Sequence, residues 1–391
     1  MRLAVIIAAA ALLTLSSCNT ARKPSAAPPA AQSIDIAFVL DTTASMQDVI
    51  DGAKTRIWSV ATAITSKQPK PHVRIALLPF RDRGDAYVTQ LFDLTDDLDA
   101  VFKNLQSFKA EGGGDTPESV NQALYEAVTK VSWSADPNAV KLIFLVGDAP
   151  PHMDYADDVK YPDTCKLAVE RHISVNTIQC GDIDGAAPVF QEIAGKATGS
   201  YVPLPADGGD MRLVSSPVDG DLAELNARLN QTVLPYGSAA QQASIAAKLV
   251  TSESIPAAVA ADRLTYNLLD NGKVVQGTGD LLTDLSLGRI AQSDLDSLPQ
   301  HELPPTLQNL TSAERSIRIR ELQSRRAAVQ QRIADLLRKR TAYLAAHKST
   351  SVGNVEVPAE TSHLSDGPVP AMRQDAFDQQ VIRMVNDAAN R

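Results

Sequence analysis

Oxygen-bearing side chains that could bind a cation occur in three separate stretches of the sequence. Asp41, Thr43 and Ser45 alternate in the first stretch, so their side chains can converge from one tight loop. Thr116, in a glycine-rich stretch, and Asp148, directly after an apolar run, add a hydroxyl and a second carboxylate. Hard cations such as Mg²⁺ prefer oxygen ligands in an octahedral arrangement. The five positions therefore predict a site for Mg²⁺, or for Mn²⁺ or Ca²⁺, with room for a ligand from a partner.

The elements around these residues predict how they come together. Residues 34–205 alternate apolar, strand-like runs with amphipathic, helix-like segments, which is typical of an α/β fold with a doubly wound, mostly parallel sheet. Among them we expect a strand over 87–94 and a helix over 117–131, opened by a proline in its first turn. Asp41 and Asp148 each follow an apolar run. In open α/β sheets ligands bind at the carboxyl ends of the strands, so this edge is the expected site.

Other polar residues near these positions have alternative explanations. Asp115 and Glu118 are typical of the acids that open a helix, while Asp115 and His152 are candidates for contacts behind the metal ligands. A hydrolase would use Ser45 as nucleophile and His152 as its base. No Gly-x-Ser-x-Gly turn surrounds Ser45, and a hydroxyl that faces a cation is poorly placed for activation, so we expect no enzyme. Helix capping alone would also explain Asp, Thr and Ser at these positions, in a fold that has lost its metal.

The order of these motifs resembles that of a known family. Residues 34–205 resemble the von Willebrand factor A domain, whose metal-ion-dependent adhesion site combines an Asp-x-Ser-x-Ser loop with a distant threonine and a further aspartate. The sequence Gly-Asp-Ala-Pro-Pro-His at 147–152 is similar to the branch attached to alpha-kinases and found in many secreted proteins and lipoproteins, although no kinase domain is visible. The matching positions, with threonine replacing the middle serine of the loop, are Asp41, Thr43, Ser45, Thr116 and Asp148.

This resemblance implies a cation-dependent protein-binding module for adhesion or assembly. The expected partner is a protein that supplies a carboxylate to the metal. The alternative is a structural envelope lipoprotein that acts through its C-terminal helical region, with the metal site vestigial. Residues 34–205 contain 24 acidic and 15 basic side chains, and such an acidic domain is a poor partner for nucleic acid.

The N-terminal residues predict where the protein acts. Residues 1–18 combine a basic start with an apolar run and end in Leu-Ser-Ser-Cys, which is similar to the lipobox of bacterial lipoproteins. Cys18 is therefore the expected lipidation site, and 19–33, rich in proline and alanine, is expected to be a flexible tether. We expect a lipoprotein that faces the periplasm and contacts the membrane only through its anchor. Asn19 favours the outer membrane over the inner one.

The remaining residues predict helices. Residues 206–310 are expected to form a mixed connecting region, and 311–347 a long amphipathic basic helix that begins with a capping box. Residues 348–391 are expected to be a tail with a short helix. Arg326 and Arg340 interrupt the apolar stripe of the long helix at positions where a coiled coil requires apolar residues. Packing within the chain is therefore favoured over a homo-oligomeric coil, which remains the alternative.

Two cysteines, Cys165 and Cys180, are expected in the mature domain besides Cys18. The periplasm permits disulfides. The predicted helix and strand place the two residues at different heights, however, and a bridge requires alpha carbons within about 7 Å. Two buried thiols are therefore expected in preference to a disulfide.

Overall fold

A six-stranded sheet organises the N-terminal half of the chain. The computed structural model describes residues 31–67, 69–209, 211, 213–348 and 376–390, so the predicted signal peptide with Cys18, most of the predicted tether and the start of the predicted tail lie outside the described residues. The strands are β1 (Ser33–Asp41), β2 (His72–Phe80), β3 (Phe92–Thr95), β4 (Val140–Gly147), β5 (Ser174–Cys180) and β6 (Tyr201–Leu204).

The strand order is β3-β2-β1-β4-β5-β6. All neighbours pair in parallel except β3, which runs antiparallel to β2. The expected doubly wound, mostly parallel sheet is confirmed. β1 lies in the middle, with β2 on one side and β4 on the other. Its nine residues are therefore almost entirely buried. The central position places Asp41, the last residue of β1, at the centre of the carboxyl edge.

Helices cover both faces of the sheet. One face carries α1 (Gln47–Thr65) and α2 (Leu98–Gln106), with Trp58 and Phe102 in the core beneath them. The other carries α3 (Val120–Lys130), α4 (Tyr161–Glu170) and α5 (Ala186–Lys196), packed on the side chains of β1 and β4 that point the opposite way. Each face therefore has its own apolar core, as parallel sheets require.

Two predicted elements have different bounds. The strand expected over 87–94 is reduced to β3 and an isolated bridge between Phe80 and Thr89. The helix expected from Pro117 begins at Val120. The backbone of Glu118 instead pairs with the segment after β4: its N–H donates to the carbonyl of Pro150, and its carbonyl accepts from the N–H of His152. The bridge engages the carbonyl of Glu118, which a helix beginning at Pro117 would use to accept from the fourth residue along.

The second half of the described chain is helical. Its elements are α6 (Asp219–Asn230), α7 (Ala239–Glu253), α8 (Ala257–Leu269), α9 (Leu281–Ser286) and α10 (Ser312–Lys348). The predicted capping box forms, since Glu314 accepts from the N–H of Thr311 at 2.8 Å. α10 packs on α6 and α8 of the same chain, with Ile333 and Leu336 buried. α8 in turn contacts α1, so the helical region rests on the sheet domain.

A last helix, α11 (Phe377–Ala389), returns to the sheet domain. It contacts α1 and β4, and it buries Phe377, Val381 and Val385 in the same core as Trp58. The tail therefore contributes to the core beneath α1. Among the described residues, no helix is both long and apolar enough to cross a membrane. Cys165 and Cys180 are both free and buried, as expected.

Candidate metal site

The loop after β1 brings three of the predicted ligands together. Oδ1 of Asp41 accepts from the N–H of Thr43 at 2.8 Å and from its Oγ1 at 2.7 Å. The hydroxyls of Thr43 and Ser45 lie 3.3 Å apart. Asp41 is fully buried and Ser45 is exposed, so the loop leads from the end of the sheet to solvent. Oδ1 is thereby held by the loop itself, which leaves the other oxygen of Asp41 for a ligand.

Asp148 joins this loop from the neighbouring strand. It follows Gly147, the last residue of β4, and β4 pairs directly with β1. A Cβ at Gly147 would lie 3.2 Å from Cβ of Asp41 and 3.3 Å from its Oδ2. The absence of a side chain at Gly147 therefore allows the two strand ends, and their carboxylates, to approach each other.

The glycine-rich loop closes the site from a third side. The N–H of Ala44 donates to the carbonyl of Gly112, and the N–H of Glu111 donates to the carbonyl of Thr42. Gly113 has a φ of +76°, and a Cβ there would lie only 2.9 Å from Cβ of Thr43. Only glycine combines this backbone conformation with so close an approach.

The glycine-rich loop also brings a buried acid, Glu118, to this edge, two residues after Thr116. Thr116 is exposed, and within the described residues it makes no hydrogen bond to the other predicted ligands. Glu118 is 3% exposed, and its Oε1 is 3.2 Å from the Cβ position of Gly113 that also touches Thr43. The bridge to the Pro150–His152 segment fixes its backbone. From the sequence, Glu118 was interpreted as a helix-opening acid. Its position directly after Pro117, in a loop that also contains three consecutive glycines, is the feature that could have indicated a site residue.

Three buried carboxylates at this edge each retain an oxygen without a hydrogen-bond partner. These atoms are Oδ2 of Asp41, Oε2 of Glu118 and Oδ1 of Asp148. Among the described residues, none of the three carboxylates forms an ion pair with a basic side chain. Buried charges normally persist only when they are paired or bind a metal. The orphaned oxygens therefore fit a divalent cation.

The pKa values of these three acids are all raised, chiefly by burial. Burial, followed by repulsion from Asp148, raises the pKa of Asp41 to about 7. Burial, followed by repulsion from Asp41 and neighbouring acids, raises the pKa of Glu118 to about 9. Burial also raises the pKa of Asp148, an effect that the Ser45 side chain partly offsets. A cation in the site would lower all three values.

Carboxylates alone do not complete the site. Within the described ranges, no three His, Cys, Asp or Glu side chains are grouped closely enough to hold a metal by themselves. The hydroxyls of Thr43 and Ser45, and water between the ion and the more distant acids, would supply the remaining oxygens. An all-oxygen set of this kind suits Mg²⁺, which keeps several of its waters.

His152 and Asp82 lie close to Glu118: the N–H of His152 donates to the carbonyl of Glu118, and the charge of Asp82 acts on its carboxylate. His152 is buried, with Nδ1 2.8 Å from Oδ1 of Asp154 and Nε2 3.4 Å from Oδ2 of Asp82. Tyr155 stacks on the imidazole at 4.0 Å and donates to Asp82, which also accepts from Ser119. No hydrogen bond joins His152 to Ser45 among the described residues. Asp115, the other residue expected to contact the metal ligands, is exposed.

Comparisons with known proteins agree with this geometry. Residues 35–205 match the family model described as von Willebrand factor A domain. Hemicentin-2 of Mus musculus is 30% identical over 203 residues, which are 49% of this chain and 4% of that protein. Von Willebrand factor A domain-containing protein 7 of Homo sapiens is 34% identical over 116 residues, 30% of this chain and 12% of that protein. The chain thus spans a small fraction of these relatives, and the similarity concerns one domain.

Two solved structures show a similarity to just under half of this chain. The SpRpn10 VWA domain matches with a TM-score of 0.35 at 12% identity, covering 45% of this chain and 89% of that one. Proximal thread matrix protein 1 from the mussel byssus, in a structure with zinc occupied MIDAS motif, matches with a TM-score of 0.36 at 18% identity, covering 45% and 43%. The family model and the sequence relatives are the findings that identify residues 35–205 as a von Willebrand factor A domain.

Proposed function

We propose that the carboxyl edge of the sheet binds a divalent cation and, through it, a protein partner. The observation that carries this proposal is that three buried carboxylates on loops at one edge of the sheet each retain an oxygen without a hydrogen-bond partner. Von Willebrand factor A domains commonly mediate protein–protein interaction with a metal site, and they are mainly interaction modules rather than enzymes. The ligands we assign are Asp41, Thr43, Ser45, Thr116 and Asp148, and Glu118 is a further acid that could contact the ion through water.

The oxygen-only ligand set favours Mg²⁺, with Mn²⁺ and Ca²⁺ as the other candidates. The site has no sulfur and no imidazole ligand among the described residues, which are the ligands that distinguish zinc sites. The ring nitrogens of His152 lie next to other acids, with Nδ1 2.8 Å from Asp154 and Nε2 3.4 Å from Asp82, so we do not assign His152 to the ion. We propose Mg²⁺ as the resident ion.

We further propose that the domain works at the bacterial envelope, held there by lipid on Cys18. The motif Leu-Ser-Ser-Cys directly after the apolar run supports this proposal. The tether over 19–33 would then let the metal edge reach partners at a distance from the bilayer, with the outer membrane favoured over the inner one. Cys18 lies outside the described residues.

Calorimetric titration of a soluble form that begins at Asn19 tests the metal site. We expect Mg²⁺ and Mn²⁺ to bind the wild type and not the double variant Asp41→Ala, Asp148→Ala. At a concentration 100 times Kd, the ion should add about 2.7 kcal/mol to the free energy of unfolding. Asp115→Asn is the matched control, since it removes an exposed acid from the same edge. Identical heats for the wild type and the double variant would remove the metal site.

Crosslinking and capture from envelope extracts, with and without chelator, test the partner. Capture by the wild type should be lost with chelator and in the Asp41→Ala, Asp148→Ala variant. Asp115→Asn should still capture the partner. Capture that is unchanged by chelator and by the double variant would place partner binding elsewhere, such as the helical region.

A further inference from the structure

We propose that the loop over 152–161 adds an apolar contact to the metal edge, in which Met153 covers an aliphatic side chain of the partner. That side chain, such as a leucine, belongs to the same partner segment that gives the ion a carboxylate. This inference rests on the proposed metal-dependent binding. It narrows the partner to a segment that carries an acid and, a few residues away, an aliphatic residue.

Two large apolar side chains of this loop are exposed. Met153 is 49% exposed and Val159 is 39% exposed. The other large apolar residues that are exposed in the described ranges each lie on a different element, and Val169 of α4 is an example. Apolar residues scattered singly over a surface are ordinary. Two on one loop, beside the proposed metal edge, indicate a contact surface.

Asn121 holds both ends of this loop. Its side chain is fully buried, and its Nδ2 donates to the carbonyl of His152 at 2.6 Å and lies 3.6 Å from Sδ of Met153. Its Oδ1 accepts from the N–H of Tyr161, the first residue of α4, at 2.8 Å. One buried amide therefore fixes both the position from which Met153 emerges and the point at which the chain enters α4.

Contacts inside the loop keep it from folding over its apolar side chains. The ring of Tyr155 stacks on His152 at 4.0 Å, and its hydroxyl donates to Asp82 at 2.8 Å. The guanidinium of Arg83 lies 4.1 Å from the centre of the same ring and pairs with Asp158 at 2.8 Å. Burying Met153 within the chain would require these contacts to break. A loop that is already ordered also loses little conformational entropy when a partner binds.

The ion and Met153 are close enough for one short segment to reach both. Met153 is five residues after Asp148, so at about 3.3–3.6 Å per residue the two are at most about 18 Å apart. A segment of about six residues spans that distance. An aliphatic side chain against Met153 would remove apolar surface from water, and the flexible thioether can adapt to its shape.

A positional scan of blocked hexapeptides tests this contact. Each peptide has aspartate at its first or last position, leucine at one other position in turn, and glycine or serine elsewhere. Peptides with asparagine in place of leucine are the reference. The protein is loaded with Mn²⁺, and water-proton relaxation reports when a peptide displaces metal-bound water. At one or two positions we expect leucine to bind about tenfold more tightly than asparagine, as burial of roughly half a leucine side chain would give.

Two matched variants locate the contact. Met153→Gln keeps the length of the side chain and an atom that can accept from Asn121, but it removes the apolar surface. It should bind Mn²⁺ and the asparagine peptides as the wild type does, and lose the tenfold gain from leucine. Val169→Thr makes the same kind of change on α4 and should keep that gain. Thermal unfolding checks that both variants are folded.

The outcomes separate this inference from the proposed metal site. Failure of the wild type to bind Mn²⁺ would defeat both. If Mn²⁺ binds but leucine gives no gain at any position, or no peptide displaces the water, the metal site stands and the apolar contact is wrong. A gain that persists in Met153→Gln, or that Val169→Thr also removes, would overturn the assignment to Met153.

Discussion

Buried carboxylates occur in two regions of this molecule, and the two regions treat them in opposite ways. At the proposed metal edge, Asp41, Glu118 and Asp148 are buried, and each has an oxygen without a hydrogen-bond partner. In the helical region, buried aspartates pair with arginines: Asp280 with Arg326 at 2.7 Å, Asp219 with Arg340 at 2.9 Å, and Asp284 with Arg289 at 2.9 Å. A fourth arginine of this region, Arg263, pairs with Asp99 of α2 at 2.8 Å.

This difference separates buried carboxylates that stabilise the fold from buried carboxylates that are available to a ligand. A buried charge is costly, and a partner charge with matched hydrogen bonds offsets most of that cost. Arg263 is an example, because it donates to both oxygens of Asp99 and to the carbonyl of Val274. Asp99 belongs to α2 of the sheet domain, so this pair connects the two regions. Carboxylates left without such partners are a cost that the fold alone does not offset, and a bound cation would.

The largest expected effect is the loss of an architectural pair. Arg263→Leu removes the partner of Asp99 and leaves a buried acid without compensation. We expect the free energy of unfolding in urea to fall by about 3–5 kcal/mol, with Mg²⁺ affinity unchanged in the folded fraction. A loss below about 1 kcal/mol would show that the buried pair is not a structural connection.

An exposed ion pair provides the control. Arg318 and Glu321 lie 3.2 Å apart on the solvent side of α10, where roughly half of each side chain is exposed. Arg318→Ala should change the free energy of unfolding by no more than about 1 kcal/mol. This contrast shows whether burial, and not pairing alone, sets the effect of Arg263.

The next largest expected effect is a gain in the free energy of unfolding. Asp41→Asn removes a buried charge from the metal edge while keeping an oxygen that can accept from Thr43. In chelator at pH 8 we expect the variant to be more stable than the wild type by on the order of 2 kcal/mol, because the raised pKa of Asp41 makes its ionised form unfavourable. Mg²⁺ should no longer stabilise it. A variant less stable than the wild type in chelator would mean that Asp41 serves the fold and not a ligand.

The pH dependence of stability follows from the same carboxylates. The pKa of Asp41 rises from 3.8 to about 7 and that of Glu118 from 4.5 to about 9. Between about pH 4 and these values the folded state binds more protons than the unfolded state, so stability falls as pH rises. In chelator the thermal midpoint should decline by a few degrees from pH 5 to pH 8.

Saturating Mg²⁺ should remove that decline, since metal binding requires the deprotonated acids. The gap between the midpoints with Mg²⁺ and with chelator should therefore widen as pH rises. The Asp41→Asn variant, which lacks the titrating group, should show a weaker decline in chelator. Equal slopes with and without Mg²⁺ would contradict the assignment of these acids to the ion.

The sequence predicted the parts of this comparison that depend on local pattern. The apolar runs before Asp41 and Asp148 located both residues at strand ends, because strand burial is readable from a few adjacent residues. The inward turn of Glu118 was not predictable, since it depends on a bridge to Pro150 and His152 more than thirty residues away.

The arginines of the helical region show the same limit. Arg326 and Arg340 appeared in the sequence as interruptions of an apolar stripe. Both arginines are buried in the structure, because aspartates distant in sequence supply the opposite charges. Asp280 is 46 residues from Arg326, and Asp219 is 121 residues from Arg340. Periodicity identifies which face of a helix is covered, but it does not identify the side chain that meets a charge there.

The smallest expected effect on stability comes from the anchor. Cys18→Ala should leave both the free energy of unfolding and the affinity for Mg²⁺ unchanged, because we assign Cys18 neither a ligand nor a core position. It should nevertheless release the protein from membranes, since each buried acyl methylene contributes about 0.8 kcal/mol to membrane affinity. Fractionation after a high-salt wash measures this, with Cys165→Ala as the control that removes a buried thiol and keeps the anchor. Retention of Cys18→Ala in the membrane fraction would reject the lipobox, and loss of Mg²⁺ binding would bring the N-terminal segment into the metal site.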